Sequence, residues 1–333
     1  MKNINANGQE YRISSTLNDF QREMQVHLVN WKWAHITREP GLHHGYPNDA
    51  ILPESCAGQY PMLYPGIVEP LKHHLEKFPF RLHKYFNHVA SSQAANLNLF
   101  LPVLLHPQAN AVFSAIKPDF ARLATEYLDH GYRIEFWDEH LADHDHISGT
   151  DADIAIAYYN HQDELCLWLI EHKLTESEFT TCGAFKSSGR QASHDCSQPF
   201  AAILANPKLC YYHDRRHFDY WKITTANAAF FANHECHAHC PFQGGLNQLW
   251  RNQILGLAIE QDERRPYQHV TFSVVKHPRN IFLDQSLAKY QDLIAANPKF
   301  SVFTSGDVIA TASALNDTQL DEWIAWYKSL YNL

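Results

Sequence analysis

Gly149-Thr-Asp-Ala-Asp-Ile-Ala-Ile-Ala-Tyr-Tyr-Asn-His-Gln-Asp-Glu-Leu-Cys-Leu-Trp-Leu-Ile-Glu-His-Lys173 reads as a strand, a polar turn and a second strand. Ile154, Ile156 and Tyr158 alternate with Asp153, Ala155 and Ala157, the two-residue period of a strand. Asn160 to Glu164 make the turn. From Leu165 the chain is almost continuously apolar, as in a strand covered on both faces, until Glu171, His172 and Lys173 break the pattern. With the turn centred on Gln162, residues equidistant from it face each other. Asp153 then meets Glu171, and Asp151 meets Lys173. Directly opposed side chains on antiparallel strands stand roughly 4.5–5.5 Å apart at Cβ, and residues two apart share a face. Up to three carboxylates and one ammonium therefore gather at the end of an apolar strand. Carboxylates this close repel unless a proton or a cation sits between them. A hard divalent ion, Mg²⁺ or Mn²⁺, suits such oxygen ligands and usually keeps several waters.

An Asp, a hairpin and then Glu-x-Lys resembles the PD-(D/E)XK, or restriction-endonuclease-like, nuclease superfamily. The resemblance implies an α/β fold whose mixed central sheet is flanked by helices, and a metal-dependent nuclease acting on nucleic acid, here taken as DNA. It implies that Asp153 and Glu171 bind metal and that Lys173 holds or polarises the attacking water. No proline precedes either aspartate, since Ala152 stands before Asp153 and Thr150 before Asp151. Asp151 therefore stays a further candidate ligand. Without the resemblance, the same residues read as a solvated cluster on a surface hairpin. Two other functions compete: a non-catalytic nucleic-acid- or protein-binding module on the same scaffold, and a metal-binding protein organised by its cysteines.

The chain has 333 residues, 45% hydrophobic and 13% aromatic, ample for a core. No stretch approaches 18 uncharged apolar residues, so no membrane span is expected. No apolar leader follows Met1, so a cytoplasmic location is expected, with the seven cysteines reduced or metal-bound rather than disulfide-linked. A net charge of −9 argues against a broad basic coat for nucleic acid, though a local patch suffices for phosphate contacts. The 23 histidines have no clear functional reading.

Residues 1–88 read as an N-terminal extension packed on the core, with a helix over 19–33. Residues 89–333 read as the nuclease-like α/β domain, with a cysteine-containing insertion at about 180–240. A basic helical stretch is expected over 71–88, where Lys72, Lys77, Arg81 and Lys84 form the clearest patch for phosphate contact. Ser91 and Ser92 suit the N-cap of an apolar helix ending near Pro102. On resemblance to one branch of the superfamily, Gln93 at its start becomes a candidate site residue. A second helix is expected over 118–130, ended by Gly131, then a strand from Tyr132 to Trp137 in which Glu135 could lean into the site. His140, Asp143, His144, Asp145 and His146 form an acidic loop, solvated or holding a second metal.

Cys182, Cys196, Cys210 and Cys240 follow, spaced 14, 14 and 30 apart. Four soft ligands could hold zinc or an iron–sulfur cluster; buried free thiols are the other reading. The superfamily includes four-cysteine members, but with cysteines on both sides of the catalytic strands, and here all four come after. His234-Glu-Cys-His237 is not a zincin motif, because Ala238 stands where the second His belongs. From Leu246 a strong helix begins. Gln248 and Arg251 on it are candidates for phosphate or water contacts, since superfamily members often set polar residues of such a helix beside the metal. Strands at 269–275 and 300–304 alternate with helices at 284–296 and 318–330, which argues for an α/β core. Neither a phosphate-binding G-x-x-x-x-G-K-[ST] nor a G-x-S-x-G nucleophile elbow is present.

Overall fold

The computed structural model describes residues 3–6, 8–144, 149–188 and 194–333. Two small antiparallel ribbons, β1 (Ile4–Ala6) with β2 (Gln9–Tyr11) and β3 (Gly41–His43) with β4 (Tyr46–Asn48), flank helix α1 (Asp19–His35). Asn18 caps α1 in a reciprocal box with Gln21. Helices α2 (Val68–Lys77), α3 (Ser92–Leu104) and α4 (Ala109–Ile116) lead to the main sheet. Its strands are β5 (Phe120–Leu123), β6 (Tyr132–Phe136), β7 (Ala152–Asn160), β8 (Leu165–Lys173), β9 (His269–Lys276) and β10 (Phe300–Thr304).

The sheet order is β10-β9-β8-β7-β5, and β6 pairs with the same edge of β7 as β5. β5, β6 and β8 run antiparallel to β7, whereas β8, β9 and β10 are mutually parallel. Parallel neighbours need long crossovers. Between β8 and β9 come short helices α5 (Gly183–Ser188), α6 (Phe200–Ala205), α7 (Tyr211–Asp214) and α8 (Tyr220–Ala226), and then the long α9 (Asn247–Gln261). Helix α10 (Asp284–Leu293) links β9 to β10, and α11 (Ser305–Ser313) and α12 (Thr318–Tyr331) close the chain.

The hairpin's period sorts its side chains into two cores. Ile154, Ile156, Trp168 and Ile170 face α3, α4, α11 and α12, and Tyr11, Leu28 and Trp31 join this core. Ala155, Ala157, Leu167 and Leu169 face α9 and the short helices. A mixed sheet between helices is the restriction-endonuclease-like arrangement. Among the described residues no single helix is long and apolar enough to cross a membrane.

Three local expectations are corrected. Residues 118–130 are not a helix, because Phe120–Leu123 joins the free edge of β7, with Phe120 opposite Asn160 and Arg122 opposite Tyr159. Leu128, His130 and Gly131 then take φ of 55°, 53° and 94°, a turn no helix tolerates. The basic stretch is helical only to Lys77. Pro79 disfavours helical backbone at Phe78, whose ψ is 75°, so Arg81 and Lys84 lie on an irregular segment. Helix α3 does not stop at Pro102 but runs to Leu104. The proline lacks the N–H that Asn98 would bond, and the Trp323 indole donates to that carbonyl instead, at 2.8 Å.

Candidate active site

The turn closes as its polarity suggests: the Asn160 side-chain oxygen accepts the N–H of Gln162 and of Glu164. This fixes the register of β7 and β8, with Tyr158 opposite Cys166 and Ile154 opposite Ile170. The paired ladder ends there, and its register carried one residue outward sets Asp153 beside Glu171. On the other side of β7, Ile134 opposes Ile154 and Phe136 opposes Ala152, leaving Glu135 beside Asp153. Glu135 has φ of 49° and interrupts the ladder there. Glu135, Asp153 and Glu171 thus form a row across three strands. All three line one cavity of about 1060 Å³, together with Asp151, Lys173, Gln93 and Gln248.

Each carboxylate is held by a donor from a different element. Gln93, at the start of α3, donates to Glu135 at 2.7 Å, and its own oxygen accepts the His83 N–H at 2.8 Å. The His172 N–H reaches Asp153 Oδ2 at 2.6 Å. Glu171 is 2% exposed and takes three donors: Lys173 Nζ at 2.7 Å, Gln248 at 2.6 Å and Asn252 at 2.8 Å. Gln248 and Asn252 are four apart, one turn of α9. The helix comes close because Gly256 faces the sheet, where a Cβ would lie 3.1 Å from Val270 Cγ1.

Crowding and burial move the protons. The Glu135 carboxyl is pushed up to about 8, by burial first and then by the charges of Asp151 and Glu171. Burial, then Glu171 and Glu135, hold Asp153 well above the usual carboxylate range. Asp151 is also raised, chiefly by burial, against the pull of His144 at 2.9 Å. Burial works against the Lys173 ammonium, but Glu171, Glu176 and Asp153 outweigh it and raise its pKa. The site is a nest of carboxylates short of positive charge. Its donor set, oxygen only, suits a hard divalent cation. Among the described residues no three His, Cys, Asp or Glu side chains stand ready-made around one ion; Asp153 and Glu171 with several waters are the ligand set Mg²⁺ commonly takes.

Arg251 does not line this cavity; it turns toward Thr150 Oγ1, 3.2 Å away. In the acidic loop, His140 lies between Asp138 and Asp262, and His144 pairs with Asp151. Asp145 and His146 fall outside the described residues. Apolar periodicity does not mark Asn252 as a partner of Glu171, although its four-residue spacing from Gln248 is a readable signal. The irregular segment after α2 brings Arg81, His83, Lys84 and Tyr85 to the cavity wall, with Arg133 and Trp137 nearby. Tyr85 and Trp137 are among the few exposed large aromatics.

A family model described as restriction endonuclease associating with ARP matches residues 37–332. No curated protein and no solved structure matches the chain.

Proposed function

The chain belongs to the family of restriction endonucleases associating with ARP, and from that premise we propose that it is a metal-dependent nuclease that hydrolyses phosphodiester bonds in DNA. The observation that carries the reading is that Asp153 and Glu171 line one cavity, with the Lys173 ammonium 2.7 Å from Glu171. Asp153 and Glu171, with Asp151 at the edge, would hold Mg²⁺ or Mn²⁺. When bound, such an ion lowers the pKa of a coordinated water and neutralises charge on the scissile phosphate.

The chain's own residues do the rest. Gln248 and Asn252 each fix one oxygen of Glu171, so the carboxylate presents a set orientation. Lys173 orients the attacking water and offsets negative charge as it develops. Arg81, Lys84 and Arg133 line the same cavity and supply phosphate contacts that the net charge of −9 does not suggest.

The test is cleavage of plasmid and oligonucleotide DNA by purified protein in Mg²⁺, Mn²⁺ or EDTA, comparing wild type with Lys173→Ala and Glu171→Gln. Cutting is expected only with metal, and each variant is expected to lose roughly 10²–10⁴-fold. Undiminished cutting by both variants, or cutting in EDTA, sinks the assignment. Tight DNA binding without any cleavage by wild type would point to the non-catalytic module instead.

A further inference from the structure

The insertion between β8 and β9 holds a second concentration of metal-ligating groups, far in chemistry from the carboxylates. Cys182, Cys196, Cys210 and Cys240 come from four separate segments, and each is only 5–7% exposed. Backbone contacts draw the segments together. The Cys240 N–H donates to the Cys196 carbonyl at 3.2 Å, and the Asp195 N–H to the Leu209 carbonyl at 3.3 Å. The start of α5 sits against α7, since a Cβ on Gly183 would lie 2.8 Å from the Tyr212 hydroxyl. The sulfurs are near enough to act on one another electrostatically: Cys240 on the other three, and Cys182 on Cys196 and Cys210.

The backbone around them is arranged for negative sulfur. The N–H groups of Ala184 and Phe185 point at Cys182, those of Tyr212 and His213 at Cys210, and that of Phe242 at Cys240. A neutral thiol is a weak acceptor and needs no such set of donors. Thiolates bound to metal use them, and N–H···S bonds to coordinating sulfur tune such centres. The short helices here, of six, six, four and seven residues, are too short to be stable by themselves.

We propose that Cys182, Cys196, Cys210 and Cys240 form a four-thiolate site for a structural soft-metal centre, a zinc ion or an iron–sulfur cluster, that ties the insertion together. A coordinating cysteine must be the deprotonated thiolate. Metal binding supplies the missing positive charge and releases the protons. As the chain stands, no three donors converge on one point among the described residues. Binding therefore requires the sulfurs to turn inward on the ion or cluster.

The full chain is expressed with iron and zinc supplied, purified without oxygen and analysed for metal and acid-labile sulfide. About four iron and four sulfide per chain with a broad visible absorption band identify a cluster; about one zinc per chain identifies the ion. Cys210→Ser and Cys240→Ser should lose the metal, whereas Cys56→Ser and Cys166→Ser should retain it. Should the first pair fail to fold, alkylation of wild type keeps the test open. Exposed Cys236 should react at once, and the four should react only after chelation. The proposal is overturned if wild type holds neither metal, as isolated and after anaerobic reconstitution, or if the Cys210 and Cys240 variants retain it in full. Nuclease activity plays no part in these readouts, so the outcome stands apart from the proposed cleavage.

Discussion

Replacing Glu135 by Gln should stabilise the metal-free protein, although it alters a residue in the centre of the site. Glu135 has an ordinary value of 4.5 and is pushed up to about 8 in the fold. The unfolded chain releases this proton near 4.5, but the folded chain keeps it until about 8. Stability is therefore lost as pH rises through that window. At pH 7 the loss is about 3.4 kcal/mol, from 1.36 kcal/mol for each pH unit above 4.5. Glu135 is only partly buried, which trims the figure to about 2–3 kcal/mol. Glutamine has the same shape, carries no charge and still accepts the Gln93 donor. For a chain of this length the gain corresponds to a melting temperature higher by roughly 3–5 °C. The assay is thermal unfolding in EDTA from pH 5 to pH 9, wild type beside Glu135→Gln. The gap should be small at pH 5 and should widen toward pH 8. Millimolar Mg²⁺ should narrow it, because a bound cation offsets the same repulsion in wild type. A variant that melts at or below the wild-type temperature at pH 8 in EDTA would refute the repulsion account.

Asn252→Ala removes one of two amide donors on Glu171 without touching substrate; cleavage should fall about 10–100-fold, mostly in kcat, and an unchanged rate would show that Gln248 and Lys173 suffice to hold the carboxylate. His277 should make the fold acid-sensitive. Its Nε2–H donates to the Tyr331 carbonyl and its Nδ1 accepts the Arg279 N–H, so a second proton would face a donor. Burial chiefly lowers its pKa to about 4 from 6.5; its contribution is intact above 6.5 and lost as pH falls through 4, about 3 kcal/mol in all, read by urea unfolding at pH 7, 5.5 and 4 against a flatter His277→Gln. Trp323→Phe orphans the Asn98 carbonyl and should cost about 1–3 kcal/mol. Adding Pro102→Ala restores an N–H to that carbonyl and should recover part of the loss, and strict additivity of the two changes would contradict the explanation.

The parts of this fold that the sequence discloses are those governed by short-range rules. The β7–β8 register follows from a compact turn with Asn160 at its start, so a count from Gln162 places Asp153 against Glu171. Helix α3 announces its start through Ser91, and in the structure Asn18 and Asp317 cap α1 and α12 in the same way. The sequence suggests that Glu135 could lean into the site but does not place it beside Asp153, because the long connection from Trp137 to Gly149 leaves the register of β6 against β7 unspecified. Phe120–Leu123 misled for a related reason: over four residues strand and helix periods cannot be told apart, and the open edge of β7 settled the matter. Helix α9 is buried on nearly every side. Apolar periodicity therefore did not reveal that Gln248 and Asn252 face the sheet while Arg251 turns toward Thr150.

The site's own energetics favour the proposed chemistry over a merely structural role. A protein gains nothing in stability by lining up Glu135, Asp153 and Glu171 at the end of strands whose other residues are apolar; burial and mutual repulsion raise the pKa of Glu135 and of Asp153, so the fold disfavours their charge. Burying Lys173 beside Glu171 does not repair this, since one ammonium faces several carboxylates and buried ion pairs often fail to repay their desolvation. Yet the arrangement is held by side-chain and backbone donors from α3, β8 and α9, and such over-determination of an unfavourable cluster is where function is expected. The same repulsion bears on substrate. A phosphate brought to this wall without a cation would meet like charge, so under the proposed function the cation and DNA would help each other bind, by an equal factor in both directions. Arg81, Lys84 and Arg133 on the cavity wall can draw the backbone in, but only neutralised carboxylates let it settle. On the proposed function, a basic wall over an acidic floor would make the metal a condition of productive binding as well as of hydrolysis.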